Sequence, residues 1–250
     1  MAEPSSRSIQ WRRLVVESGA VILSILLAFS IDALWDRHQE RIREDVLLRG
    51  ILADYRASRP NLAERLELAG RLARNTALLR DLVSGWSGRE PLTVPDSLIL
   101  GVLGGPTYEP ATNTLDAALG SGEIELIRSG EIKTELATWR RTLLDTTEDE
   151  VEVRRLTNEQ LVPSLASAMD LGPYFARVLQ WSSGEPVPGL PGHVTFTPPV
   201  DASSLLGLRH FFVQFSADDL AALLASLDRA IALLERETGM ADAGSTNPPE

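Results

Sequence analysis

Few residues in this chain have the types and spacing that chemistry needs. The three histidines, His38, His193 and His210, lie far apart and form no ligand-spaced pair of the HExxH kind. His38 falls in a charged stretch, and His210 sits beside Phe211 and Phe212, which reads as a partly buried imidazole rather than a ligand. The chain has no cysteine, so thiolate zinc, iron–sulfur clusters, disulfides and a cysteine nucleophile are all excluded. No GxSxG elbow, P-loop or GxGxxG turn occurs. Gly101-Val102-Leu103-Gly104-Gly105 has no Lys-Ser/Thr after it and reads as a helix stop. The densest acids, Glu148, Asp149, Glu150 and Glu152, lack the alternating spacing and central glycine of a calcium loop. They are expected on a solvated bend or helix surface. The reading is therefore a non-enzyme with no catalytic site, no cofactor and no metal; an acid pair assembled by folding is the enzymatic alternative.

The elements that would position any site come next. At 250 residues, 44% hydrophobic and 24% charged, the composition is that of an ordinary globular chain. A net charge of −11 and a pI near 4.8 argue against nucleic acid as a partner, because phosphate neutralisation needs concentrated Lys and Arg. Forty leucines against 6% aromatic residues lean towards helices.

The strongest local signal is at the N-terminus. After Trp11-Arg12-Arg13, the 21 residues from Leu14 to Leu34 include twelve Leu, Ile, Val or Phe. Such a helix is about 31 Å long and matches a hydrocarbon core of about 30 Å. Its apolar residues favour insertion by about 4–7 kcal/mol, offset by Glu17 and Asp32, which lie near the two ends. The expectation is a retained membrane anchor. A cleaved signal ending at Ala28-Phe29-Ser30 and a buried soluble helix are the other readings. No Gly or Pro breaks the helix directly after Ser30, and helical periodicity runs on to Tyr55.

At 100° per residue Glu17, Ser24, Ala28, Asp32 and Trp35 fall within roughly 80° of one another. Ala20, Ser24 and Ala28 form a small-xxx-small series on that side. Small residues let helices approach closely in lipid, and polar groups can bond across the contact. Glu17, Ala20, Ser24, Ala28, Asp32 and Trp35 are therefore the candidate association face, for a homo-oligomer or a partner membrane helix. Incidental small residues, with Glu17 paired to Arg13, explain the pattern equally well.

Beyond Trp35 the chain reads as helices between punctuated loops. Asp32, Asp36, Glu40 and Glu44 form an acidic ridge offset by Arg37–Glu40 and Arg41–Glu44 pairs, the pattern of a solvated face. Ile42, Val46, Leu48, Leu52 and Tyr55 give an apolar side that ends near Pro60, where a break is expected. Leu62, Leu66, Ala69, Ala73, Leu79 and Val83 share a face of the next helix. Short helices follow at Ser97–Leu103 and from Asn113 or Thr114 to Gly120. Ser-Gly-Glu-Ile occurs at 121–124 and again at 129–132, each serine placed to cap a helical turn. His193–Thr197 reads as one short edge strand within a Pro-rich stretch. Ser216 and Asp219 resemble a capping box opening a last helix, whose Leu220, Leu224, Leu227, Ile231 and Leu234 keep a bundle seam.

Two blocks look familiar. One is Val15-Val16-Glu17, Leu23–Phe29, Asp32-x-x-Trp35-Asp36 and Glu40-Arg41; the other is Thr114-Leu115-x-x-Ala118-Leu119-x-Ser121-Gly122 running through Leu126-Ile127-Arg128 to Leu136. Together they resemble a family of uncharacterised bacterial single-pass membrane proteins of unknown function. The resemblance covers residues 12–57 and 107–145, is loose elsewhere, and does not include the Pro-rich 182–200. It implies one N-terminal membrane helix and a mainly helical remainder, and it supplies no catalytic residues.

The expected architecture is all-α, a single N-terminal transmembrane helix continuing into an antiparallel helical bundle with short accessory helices. The parts are a short tail (1–12), the transmembrane helix (13–35), the bundle (36–237) and a disordered tail (238–250). Four main helices are expected, at 36–58, 61–84, 130–160 and 217–237. The functional expectation is an interaction or scaffold protein of the bacterial inner membrane, with the lipid bilayer as one partner. An extracytoplasmic sensory or ligand-binding bundle acting through a partner is the alternative, weakened by the short stretch before the anchor. Arginine counts flanking the span, three against four, do not decide orientation. Arg12 and Arg13 abut the span and favour a cytoplasmic N-terminus and a periplasmic bundle.

Overall fold

The computed structural model describes residues 11–105, 107–178 and 189–239, with side chains from residue 18 onward except residue 20. Both expected tails fall largely outside these residues.

The described chain is mostly helical. α1 (Trp11–Ser84) is one helix of 74 residues, about 110 Å long. A two-stranded antiparallel ribbon, β1 (Leu92–Pro95) and β2 (His193–Phe196), joins distant parts of the chain with Leu92 opposite Phe196 and Pro95 opposite His193. The expected strand at 193–197 is therefore present, but its partner falls where a loop was read. α2 (Asp96–Leu103) and α3 (Asn113–Ser121) are short. α4 (Gly130–Leu156) is long and is extended by a π turn at Thr157–Leu161. α5 (Val162–Ala166) and α6 (Gly172–Phe175) are single turns, and α7 (Ala202–Thr238) closes the bundle.

Among the described residues the long helices number three, not four, because Pro60 lies inside α1 and does not break it. Its ring sits on the exposed side, where water can satisfy the carbonyl that loses its amide partner. On the other side Tyr55, Ser58 and Leu62 are buried, and Arg56 and Arg59 reach across to Glu235 and Asp228 of α7 at 2.6 Å each. Packing on both sides of the proline holds the axis together. The capping box at Ser216 is overturned too. α7 runs through it, and Ser216 is fully buried in mid-helix, because Leu206, Val213, Ala217 and Leu220 continue one buried stripe across the site.

α7 lies antiparallel to both other long helices. Its partners descend as α1 ascends, from Arg49–Thr238 through Arg59–Asp228 and Ala73–His210 to Ser84–Ser203. On α4, Glu131 meets Arg236 while Glu135 accepts from Ser226 and Arg229. α1 and α4 are thus parallel, with the rings of Tyr55 and Trp139 4.6 Å apart between them.

Two apolar cores stack along this bundle. The first joins Leu48, Ile51, Leu52 and Tyr55 to Trp139 and to Leu220, Leu227 and Leu234. The second joins Leu72, Leu79 and Val83 to α2, the ribbon, the π turn, and Leu206 and Val213. Gly50 is needed where α3 crosses α1, since a Cβ there would stand 2.8 Å from the Thr114 methyl. Asp54 and Ser58 of α1 accept from the Thr114 and Ala111 amides, which fixes the loop into α3. Ser129 caps α4 as expected, accepting from the Ile132 amide at 3.3 Å. Its counterpart Ser121 instead ends α3, before Gly122 in the left-handed region.

Candidate functional site: an exposed apolar helix and a polar cleft

Ten large apolar side chains between Val21 and Trp35 are each 50–69% exposed, on every side of α1. Among the described residues no helix is long and apolar enough to cross a membrane. The run read as an anchor begins at Leu14, and the side chains of 14–17 and 20 are outside those residues. Ser24, Ala28, Asp32 and Trp35 are exposed on the helix, while Glu17 and Ala20 belong to it without described side chains. Trp35 lies beside His38, ring centroids 6.3 Å apart.

The same face extends further than the sequence suggested. Ile42, expected on the apolar side of the bundle, is exposed five turns beyond Ser24, and Val46 is 65% exposed one turn later. The bundle instead takes Glu44, Leu47, Leu48 and Ile51. Glu44 does not serve the surface ridge expected of it. It is buried, accepts from the Arg128 amide at 2.7 Å and pairs with the Arg128 guanidinium at 3.0 Å. The amide following the 3₁₀ turn at Glu123–Leu126 thereby gains its acceptor.

A second site was illegible in the sequence. A cavity of about 210 Å³ lies between the loop after α2 and the end of α4, lined by Gly104, Thr107, Glu150, Arg154, Thr157 and Asn158. Glu150 was expected on a solvated surface. It is buried, accepts from the Tyr108 amide at 3.1 Å, and its carboxyl is pushed up to about 7. Burial dominates that shift, and the Tyr108 amide, Arg154 and Arg65 oppose it. The π turn begins immediately below, at Thr157, and such turns often mark functional positions.

The other acids of that cluster disperse. Asp149 faces Asp219 of α7, whose carboxyl is pushed up to about 6 by burial and by the hydrogen bond and charge of Asp149. Glu152 binds Arg155 at 2.8 Å. Arg209 is fully buried against the end of α2, donating through Nε to the Val102 carbonyl at 2.8 Å and through Nη2 to that of Gly104. Those carbonyls carry the negative end of the α2 dipole, so they substitute for a carboxylate. Burial lowers the guanidinium to about 10, still charged at neutral pH. Its position between Leu206 and Val213 on one helix face was the available signal.

Asp96 ties the ribbon to α6, accepting from the Tyr174 hydroxyl at 2.5 Å and the Gly192 amide at 2.6 Å. His38 is half-buried and His193 is exposed, at the ribbon's end opposite Pro95, while His210 Nδ1 meets the Ala73 carbonyl at 3.2 Å. Among the described residues no three His, Asp or Glu side chains are placed to hold a metal ion. Comparison with known proteins finds no matching family model, no matching curated protein and no matching solved structure.

Proposed function

We propose that this chain is a membrane-anchored interaction or scaffold protein, held in the bacterial inner membrane by residues 13–35 and acting by binding rather than by chemistry. The observation that carries this reading is the exposed apolar helix from Val21 to Trp35, continuous with the bundle. Apolar side chains on every side of one helix need an apolar surrounding, and a bilayer supplies it without a dedicated partner surface. The family resemblance points the same way. Within lipid, Ser24 and Ala28 form the close-approach face of a homo-oligomer or partner helix, and Glu17, Ala20, Asp32 and Trp35 complete it.

Substituting Ser24 and Ala28 by Leu is expected to reduce crosslinking of the full chain in native membranes. Unchanged crosslinking removes the association face from the proposal. The bundle is assigned to the periplasmic side. A single cysteine at exposed Ser87, in a chain otherwise free of cysteine, tests this by labelling with an impermeant maleimide in intact spheroplasts. Labelling only after lysis moves the bundle to the cytoplasm.

The cleft at Glu150 favours a second reading, a ligand-binding bundle that acts through a partner. A buried carboxyl near neutrality beside Arg154, whose guanidinium forms no hydrogen bond or ion pair among the described residues, is suited to a small polar ligand. Metabolite-dependent melting shifts of the detergent-solubilised full chain, abolished in Glu150→Gln, are the expected result. A flat profile counts against it.

A further inference from the structure

A different groove, on the outer side of α4, combines an apolar floor with a cationic rim. It encloses about 320 Å³ between α3 and α4, at the small end of ligand-sized cavities of about 300–1,000 Å³. Leu136 forms part of its floor, and Leu119 and Leu144 stand at its margins, 38% and 59% exposed. On the same stretch of α4, Lys133, Arg140 and Arg141 line it. Lys133 is held by Glu125 at 2.7 Å, and Arg140 lies 3.6 Å from Asp116. Arg141 has no hydrogen bond or ion pair among the described residues. The groove and its two paired acids therefore carry a net positive charge, in a chain whose overall charge is −11.

We propose that this groove binds a free single-chain fatty acid, with the alkyl chain along Leu119, Leu136 and Leu144 and the carboxylate at Arg140 and Arg141. Charge selects an anion, and the lining selects an apolar body. At about 320 Å³ the groove holds less than one turn of helix, about 5.4 Å long and about 10–12 Å across with its side chains. Location argues against a lipid still seated in the bilayer. Trp139, at this level of α4, packs on Tyr55, twenty residues beyond Trp35, or about 30 Å of helix rise. The choice of a free over a bilayer-seated lipid rests on the membrane-anchored reading, while the groove itself belongs to the bundle.

Both rims are exposed, so they can be altered without touching the core. The full chain in phosphatidylcholine nanodiscs is photolabelled with dodecanoate bearing a terminal diazirine, and the labelled peptides are mapped by mass spectrometry. Label is expected within 115–144 as well as within the apolar helix at 18–35, which serves as the internal reference. Competition should strengthen about fourfold per added methylene from octanoate to dodecanoate. Dodecanoate should compete about tenfold better than dodecanol, the contribution of a charge-assisted contact. Arg141→Glu and Leu144→Asp should each remove label from 115–144 and leave the reference unchanged. Label confined to 18–35, equal competition by dodecanol, or full labelling of Arg141→Glu overturns the proposal. Loss of groove label on moving to phosphatidylglycerol nanodiscs also overturns it, in favour of a membrane lipid as occupant.

Discussion

Within α1, residues 21–35 and residues 47–83 use one helical repeat in opposite ways. In the first stretch apolar side chains occupy every side and are 50–69% exposed, so no packing among the described residues accounts for them. In the second they narrow to a stripe of Leu48, Ile51, Leu52, Tyr55, Leu62, Leu72 and Leu79, each nearly inaccessible, with charged residues opposite. The width of the apolar arc states how much of the helix another phase must cover. A full circle asks for a surrounding medium, and a stripe asks for neighbouring helices. The crossover lies at Ile42–Leu48, where exposed Ile42 and Val46 alternate with buried Glu44 and Leu47.

The sharpest way to separate the two halves is to charge the first. Ile25→Arg with Leu26→Arg costs about 5–7 kcal/mol on the insertion scale, comparable to the whole apolar gain. The chain should leave the membrane fraction while the bundle keeps its thermal midpoint. A loss of bundle stability would show that the halves are one cooperative unit. The reverse experiment is Trp139→Ala, which opens a cavity against Tyr55 and should cost about 3–5 kcal/mol. Circular dichroism should show the bundle melting earlier, with membrane association intact.

Pro60→Ala probes the joint inside the second half. The proline is exposed and helical, so its replacement should raise stability by about 1–3 kcal/mol in denaturant titration. No gain would mean that the bundle needs a bend there.

The smallest expected effect is a pH dependence confined to the bundle. Glu150 and Asp219 have folded values raised to about 7 and about 6, above their ordinary carboxylate values. The folded state therefore binds more protons, and these groups contribute stability that is fully present below the unfolded values. That contribution is lost as pH rises through about 6 and then about 7. Melting temperature should fall between pH 5 and pH 8, and Glu150→Gln should remove the upper part of the slope. A flat profile in the wild-type chain would contradict the burial of Glu150 and the pairing of Asp219 with Asp149.

How much was legible beforehand differs by element. Helical class, the α4 cap at Ser129, the strand at His193 and the seam at Leu220, Leu227 and Leu234 follow from periodicity and local hydrogen bonding. Pro60 and Ser216 misled for one reason. Each is a strong local boundary signal, a break at Pro60 and a start at Ser216, yet each lies in a helix whose buried stripe continues in phase on both sides, and packing outweighs one local preference. The cleft was hidden because Glu150 looks like its acidic neighbours until the Tyr108 loop folds over it.

By itself the sequence determined the helices, the all-round apolar run and the absence of any local catalytic or thiol motif, because each of these is written in neighbouring residues. Only the tertiary structure decided that there are three long helices, that α1 and α4 run parallel against α7, and that Arg209, Glu44 and Glu150 are buried. Those outcomes depend on which backbone carbonyl or amide, dozens of residues away, arrives to satisfy a charge removed from water.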